Sequence, residues 1–360
     1  MLANITQQTI LQRLNQLPVI AGFNGLVQGV GAQARDSLLA LGGHGWTVIP
    51  YGLSTIGTPP SFGGVPFESV TEDPVRGATP IHGTIQFGGG HNRPLVILLH
   101  GIASTPREAY VRRMARVLIK DGFDVLSLAL RGALGLGSDH YHGGLTDDLA
   151  ALMSDPRITP YQNVFVVGFS LGGQIALRFA LNQNDPRLKG VVSLCSPISM
   201  QASQTILDSP LMAAYRIPIL ASLKAKYRKL TRNGRQEGRP VLAKPRAVEA
   251  IKSFYEWDET IVCPRYGYQS VEDYYADVSV GPHLSLLKTP ALMVFTQRDP
   301  LIPIRMLAPY LAARNPETDL CIVQRGGHLG FSPSADLGLG AERGIGHQVS
   351  AWISQQSEFR

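Results

Sequence analysis

The chain has 360 residues, 44% of them hydrophobic, and 33 Lys and Arg against 27 Asp and Glu give a net charge of +6. That length suits one large α/β domain with an insertion, or two ordinary domains, and the composition excludes a disordered or fibrous chain. Three scattered cysteines, Cys195, Cys263 and Cys321, rule out a disulfide framework and a zinc site, and read as free thiols of a reducing compartment.

Residues 1–80 read as an irregular N-terminal extension, with one helical pattern near 5–17 where Ile10, Leu11, Leu14 and Leu17 share a face. Between residues 14 and 67 only Arg35 and Asp36 are charged. That stretch either packs against the remainder of the protein or lies in a membrane interface. The N-terminus lacks the basic segment of a signal peptide, and no run of 18 apolar residues occurs, so no membrane-spanning helix is expected.

From residue 81 onward, short apolar runs alternate with helical patterns. Strands are predicted at 82–87, 94–99, 124–129, 163–168, 190–195, 290–296 and 319–324. Helices are predicted at 107–120, 145–153, 171–182, 304–314 and 343–356. In the first of these, Val111, Met114, Ala115 and Leu118 make the apolar stripe. The alternation implies a mostly parallel sheet covered on both faces. It breaks between residues 197 and 288, which read as an insertion capping the carboxyl ends of the strands, where α/β sheets bind ligands.

The sharpest motif is Gly168-Phe169-Ser170-Leu171-Gly172-Gly173, a G-x-S-x-G sequence that follows a predicted strand and opens a predicted helix. Such a turn exposes the serine Oγ, and the positive end of the helix dipole lies beneath it. A serine hydroxyl needs a base to attack, and that base needs an acid to orient it. Asp299 follows the strand 290–296 and His328 follows the strand 319–324, so both sit in loops at carboxyl ends of strands. Asp319 and Asp277 are the competing acids. His100 ends a buried strand and reads as structural. For a developing oxyanion, the backbone N–H groups of Leu171 and Ile102 are the candidate donors.

The order Ser170, Asp299, His328 and the elbow resemble the α/β-hydrolase superfamily. Within it, the chain is similar to the YheT-like branch (AB-hydrolase type 4), which holds bacterial esterases and mammalian membrane-associated lipases. The likeness runs over about residues 80–357. It rests on residues 98–132, the stretch YHGGLTDDL at 141–149, the elbow at 168–173, and residues 258–299. It implies a Ser170–Asp299–His328 triad and a carboxylic-ester substrate with an acyl chain. The same comparison puts His142 and Asp148 on a recurrent motif, with either a structural role, Asp148 bracing the helix 145–153, or a second role in the site. Arg131-Gly132 reads as loop architecture.

Residues 224–246 hold nine Lys and Arg and one acid, Glu237, so this stretch alone is +8 and the remainder sums to −2. It reads as a solvated loop or as a contact with an anionic membrane surface. Nucleic-acid binding is not expected of a chain whose basic charge is confined to one stretch. The expectation is therefore an α/β-hydrolase fold in which residues 1–80 extend a hydrolase domain of residues 81–360, with a cap at about 197–288. It would be a cytoplasmic serine esterase or lipase without cofactor or metal, with peripheral membrane association left open. Two rival readings remain: an acyltransferase using the same three residues, and a non-catalytic binding protein on a hydrolase scaffold. A third has residues 224–246 binding phosphoinositide or nucleic acid, with Ser170 inert.

Overall fold

The computed structural model describes residues 42–47, 63–89, 93–239 and 243–357. An eight-stranded sheet in the order β1-β2-β4-β3-β5-β6-β7-β8 organises the chain. Its strands are β1 (Val65–Asp73), β2 (Gly77–Gln86), β3 (Leu95–Leu99), β4 (Asp124–Ala129), β5 (Val164–Phe169), β6 (Leu188–Leu194), β7 (Ala291–Thr296) and β8 (Asp319–Val323). β3 through β8 run parallel, and β1 and β2 are antiparallel additions at one edge.

The central strands β3, β4, β5 and β7 are fully buried, which is why each reads as a largely apolar run. Leu95, Ile97 and Leu99 of β3 face one core layer, while Val96 and Leu98 face the other. Helix α1 (Ala109–Lys120) covers the second layer with the C-terminal helix α11 (Ile345–Gln356). The buried residues of α1 are Val111, Met114, Ala115 and Leu118, the stripe read from sequence. Helices α2 (Asp147–Met153), α3 (Leu171–Asn182) and α10 (Ile304–Ala312) cover the first.

The hairpin β1–β2 corrects one expectation. The sheet begins at Val65, inside the segment read as an irregular extension. Asp73 Oδ1 accepts the N–H groups of Val75 and Arg76, and Gly77 turns with φ +65°, so the sequence DPVRG makes the tight return. β1 alternates buried and exposed residues, the mark of a half-solvated edge strand rather than of a central one. The helix read near 5–17 lies outside the described residues.

Between β6 and β7 the chain is helical. Its elements are α4 (Met200–Leu207), α5 (Ala213–Gln236), α6 (Pro245–Ala250), α7 (Phe254–Trp257), a π-helical turn Asp258–Val262, α8 (Cys263–Tyr266) and α9 (Val271–Val278). They share a core of their own built on Leu223, Tyr227, Trp257, Val262 and Tyr274. Most of the basic run is thus not a loop. It lies on α5, where Leu220, Leu223, Tyr227 and Leu230 recur at helical spacing and are buried. Among the described residues no single helix is long and apolar enough to cross a membrane.

Candidate active site

Ser170 stands between β5 and α3 with φ 52° and ψ −121°, a left-handed conformation that costs an L-residue of order 1–3 kcal/mol. The neighbouring glycines make the turn sterically feasible. A Cβ on Gly168 would meet Gly172 O at 2.2 Å, and one on Gly172 would meet Leu99 O at 2.4 Å. The Ser170 Oγ lies 3.0 Å from His328 Nε2, and His328 Nδ1 lies 2.9 Å from Asp299 Oδ2. With Nδ1–H donating to the carboxylate, Nε2 is the free base and accepts the serine proton. The other oxygen of Asp299 accepts the N–H groups of Leu301 and Ile302, both at 2.9 Å, which fixes the carboxylate plane. Cys195 lies buried beside this acid. Burial and then the Asp299 charge push its thiol well above the usual range, so it stays protonated.

The two competing acids are engaged elsewhere. Asp319 Oδ2 accepts the indole N–H of Trp352 at 2.7 Å, and Asp277 pairs with Arg178 at the surface. His100 is fully buried, donates from Nδ1 to Gly101 O, and accepts the Leu130 N–H at Nε2. Burial drops its pKa to about 3, and the ring is a neutral structural bridge.

Ile102 and Leu171 both line the pocket around Ser170. Leu171 is the first residue of α3, where an N–H has no partner within the helix. Its counterpart sits in a loop braced on either side. The Gly101 N–H donates to the Tyr110 hydroxyl at 3.0 Å and the Ala103 N–H to the Tyr141 hydroxyl at 2.7 Å. Among the described residues no acceptor engages the N–H of Ile102 between them.

Sequence reasoning missed the group that holds this loop from above. Lys226 of α5 reaches down and donates from Nζ to Ala103 O at 2.9 Å and Ser104 O at 2.8 Å, and Ser222 also donates to Ala103 O. Ala103 has φ 55°, so the clamp holds a strained turn. Burial lowers the Lys226 pKa to about 8 against the opposing pull of Glu108.

His142 and Asp148 do not share a task. The His142 ring packs on Tyr266 at 4.1 Å, accepts the Gly144 N–H, and is kept neutral by burial, which lowers its pKa to about 3. Asp148 takes the guanidinium of Arg131. Arg131 in turn meets Asp73 at 2.6 Å and Asp139 at 2.9 Å, and Arg265 of α8 meets the same two carboxylates at 2.7 and 2.6 Å. This buried cluster ties the edge strand β1 and the loop 131–142 to the helices above the sheet. Among the described residues no group of three or more His, Cys, Asp or Glu is arranged to hold a metal ion.

Above the serine lies a pocket of about 1020 Å³, open solvent at its mouth included. Met200, Leu207, Leu223, Phe254, Trp257 and Leu301 give it an apolar wall. Its polar points include Ser203, Gln204 and Asp258. Tyr275 donates its hydroxyl to Asp258 Oδ2 at 2.7 Å, and burial pushes the Asp258 carboxyl up to about 7.

An α/β sheet, a strained serine elbow at the carboxyl end of a strand, and an acid and a histidine from later loops define a hydrolase architecture. The profile of the α/β-hydrolase fold matches residues 94–334, and the chain belongs to that family. The chain is 25% identical over 251 residues to a monoacylglycerol lipase of Saccharomyces cerevisiae, covering 66% of this chain and 55% of that protein. It is 28% identical over 262 residues to the embryogenesis-associated protein EMB8 of Picea glauca (69% and 56%). With phospholipase ABHD3 of Homo sapiens it shares 25% over 248 residues (66% and 59%). The match thus spans between half and two-thirds of each relative's length. Among solved structures, a 2,6-dihydroxy-pseudo-oxynicotine hydrolase aligns with TM-score 0.50 and 17% identity over 85% of this chain and 71% of that one, a likeness of fold.

Proposed function

We propose that this protein hydrolyses carboxylic esters carrying an apolar acyl chain, as a serine hydrolase of the YheT-like kind. The observation that carries the reading is the relay Ser170–His328–Asp299 at the floor of an apolar pocket. Ser170 Oγ attacks the ester carbonyl carbon while His328 Nε2 takes its proton. The N–H groups of Ile102 and Leu171 receive the oxyanion. His328 then protonates the leaving alkoxide, and the acyl chain remains bonded to Ser170 along the apolar wall. Water, deprotonated by His328, attacks the acyl-enzyme and releases the acid. The chemistry requires no cofactor. One relative named as a monoacylglycerol lipase and one named as a phospholipase favour lipid esters as the substrate class.

Labelling with a fluorophosphonate tests the reading. The wild-type chain takes the label and a folded Ser170→Ala variant does not. His328→Ala lowers ester turnover by roughly three to four orders of magnitude. A wild type that takes no label leaves the scaffold without chemistry, and an added alcohol that is acylated in preference to water turns the reading to acyl transfer.

Peripheral contact with an anionic membrane is part of the same proposal. Lys229, Arg232, Arg235, Lys244 and Arg246 are exposed, and Leu211 and Ile217 at the start of the same helical layer are 69% and 64% exposed. Each such cation adds about 1 kcal/mol near an anionic surface. Vesicles with anionic lipid should sediment the protein at low salt and release it as salt rises. No sedimentation at low salt refutes the contact.

A further inference from the structure

A segment far upstream of the family match reaches the loops that carry Asp299 and His328. Residues 42–47 form a short helical segment, and the hydrolase profile begins only at residue 94. The backbone N–H of His328 donates to Thr47 Oγ1 at 2.8 Å. The Thr47 hydroxyl donates to Gly43 O at 2.7 Å, which leaves its oxygen lone pairs to accept from the His328 amide. The next residue, Leu329, has φ 59°, a conformation an L-residue keeps only where its surroundings impose it.

The contact is backbone against backbone on both functional loops. A Cβ on Gly43 would come within 1.6 Å of the carbonyl oxygen of Arg298, the residue before Asp299. A Cβ on Gly327 would meet Gly43 O at 2.1 Å and Thr47 Oγ1 at 2.5 Å, and one on Gly330 would meet Trp46 O at 1.8 Å. Only glycine permits such an approach, and it is required on both sides of the interface. His44 completes the seat: its Nδ1 lies 2.7 Å from the Tyr215 hydroxyl, with the two rings stacked at 5.5 Å, which ties the segment to α5. The strap therefore touches the acid loop, the base loop and the helical layer at once.

We propose that residues 43–47 are a working part of the site, a strap that locks the loop carrying His328, with Thr47 as the residue that positions the base. The inference rests on the reading of His328 as general base. A tether that merely closed off the fold would need no bond to the amide of that one residue. A bond placed there fixes where the imidazole sits between Asp299 and Ser170, and a displacement of about 1 Å at such a group costs on the order of a hundredfold in rate.

The test uses the full chain with a p-nitrophenyl ester and amide hydrogen exchange over residues 326–330. Thr47→Val should lower kcat about tenfold or more with KM changed less than about threefold, and should speed exchange at His328. Thr47→Ser, which keeps the hydroxyl, should restore both. If Thr47→Val does not fold, Thr47→Ala carries the comparison. Variants that turn over ester and protect the His328 amide like the wild type overturn the strap, and so does a lowered Tm with kcat intact. A wild type without turnover or fluorophosphonate labelling is a different result: the serine-hydrolase reading has then failed, and the strap's role with it.

Discussion

Lys226 offers the strongest test of the proposed oxyanion role of the loop at Ile102, because its effect should appear in rate and not in binding. Lys226→Met removes the ammonium that bonds Ala103 O and Ser104 O at 2.9 and 2.8 Å, leaving Ser222 alone on the first carbonyl. Hydrogen bonds from a charged donor contribute about 1.5–3 kcal/mol each to holding such a turn. The loop keeps its anchors to Tyr110 and Tyr141, so the Ile102 amide shifts and is not lost. Outright loss of an oxyanion donor costs about 100- to 1000-fold, which sets the ceiling, and a fall in kcat of about 10- to 100-fold is expected. KM should change less than about threefold, because the carbonyl oxygen develops its full charge only in the transition state. The Lys226 pKa of about 8 adds a signature. As pH rises through that value the wild type loses the charge on its clamp and kcat declines, whereas the variant has no such limb. Stopped-flow turnover of a p-nitrophenyl ester across that range reads both effects. A kcat within about twofold of wild type at neutral pH, or a loss confined to KM, refutes the reasoning.

Three further outcomes follow from the same geometry. In Asp299→Asn, the two backbone bonds from Leu301 and Ile302 keep the amide oxygen and turn the NH₂ toward His328, so Nδ1 becomes the acceptor and Nε2 carries the proton. That tautomer cannot accept from Ser170, and kcat should fall about 10⁴-fold with the fold unchanged, a loss under about tenfold counting against the assignment. Arg265→Met leaves Asp73 and Asp139 facing Arg131 alone in a buried cluster, and urea unfolding should show a loss of about 3–5 kcal/mol. Burial opposes ionisation at Asp73, yet its bonds from Arg131 and others hold the carboxyl below the usual range, so its share of stability is present above about pH 4 and is lost as pH falls. A variant as stable as wild type at neutral pH would show that the cluster contributes nothing net. Asp258 has the opposite sign. With its pKa raised to about 7, the native state holds a proton that the unfolded chain releases, so stability falls as pH rises from about 4 to 7. Asp258→Asn should raise Tm relative to wild type more at pH ~8 than at pH ~5, and an equal difference at both would remove Asp258 from the argument.

The parallel core was legible because β3, β4, β5 and β7 are buried along their whole length and so write largely apolar runs into the sequence. The placing of the candidate residues Ser170, Asp299 and His328 was legible for a related reason: each follows a strand of the sheet, β5, β7 and the half-buried β8, and strand ends are where this architecture binds ligands. β1 was not, since VPFESVTED has no polar–apolar alternation: Val65 and Val70 are exposed while Thr71 and Asp73 are buried, as in an edge strand whose inner face meets charged groups. The helix under the basic run is less legible because its density of cations masks the apolar stripe of Leu220, Leu223, Tyr227 and Leu230, which recur at helical spacing. Lys226 and Thr47 lay beyond any local pattern. They meet their partners across 123 and 281 residues of chain, and their role is set by tertiary contact alone.

The cluster of charge that makes the sequence basic therefore has two faces with different physics. Toward the protein, Lys224 bonds Glu249 O and Ile251 O, Lys226 clamps the loop at Ala103 and Ser104, and Arg239 reaches Arg76 O beside the β1–β2 turn. These cations are bound to backbone carbonyls, so they act as structural donors whose side chains are held in place. Toward solvent, Lys229, Arg232 and Arg235 stay exposed on the same helix. An anionic surface that drew on those residues would pull on the helix that also grips Ala103 and Ser104. The strap at 43–47 reaches that helix too, through His44 and Tyr215. Binding at the outer face and geometry at the loop 101–104 then share one rigid element, and any coupling between them must show as a change in kcat when anionic vesicles are added, one that Lys226→Met abolishes while vesicle binding persists.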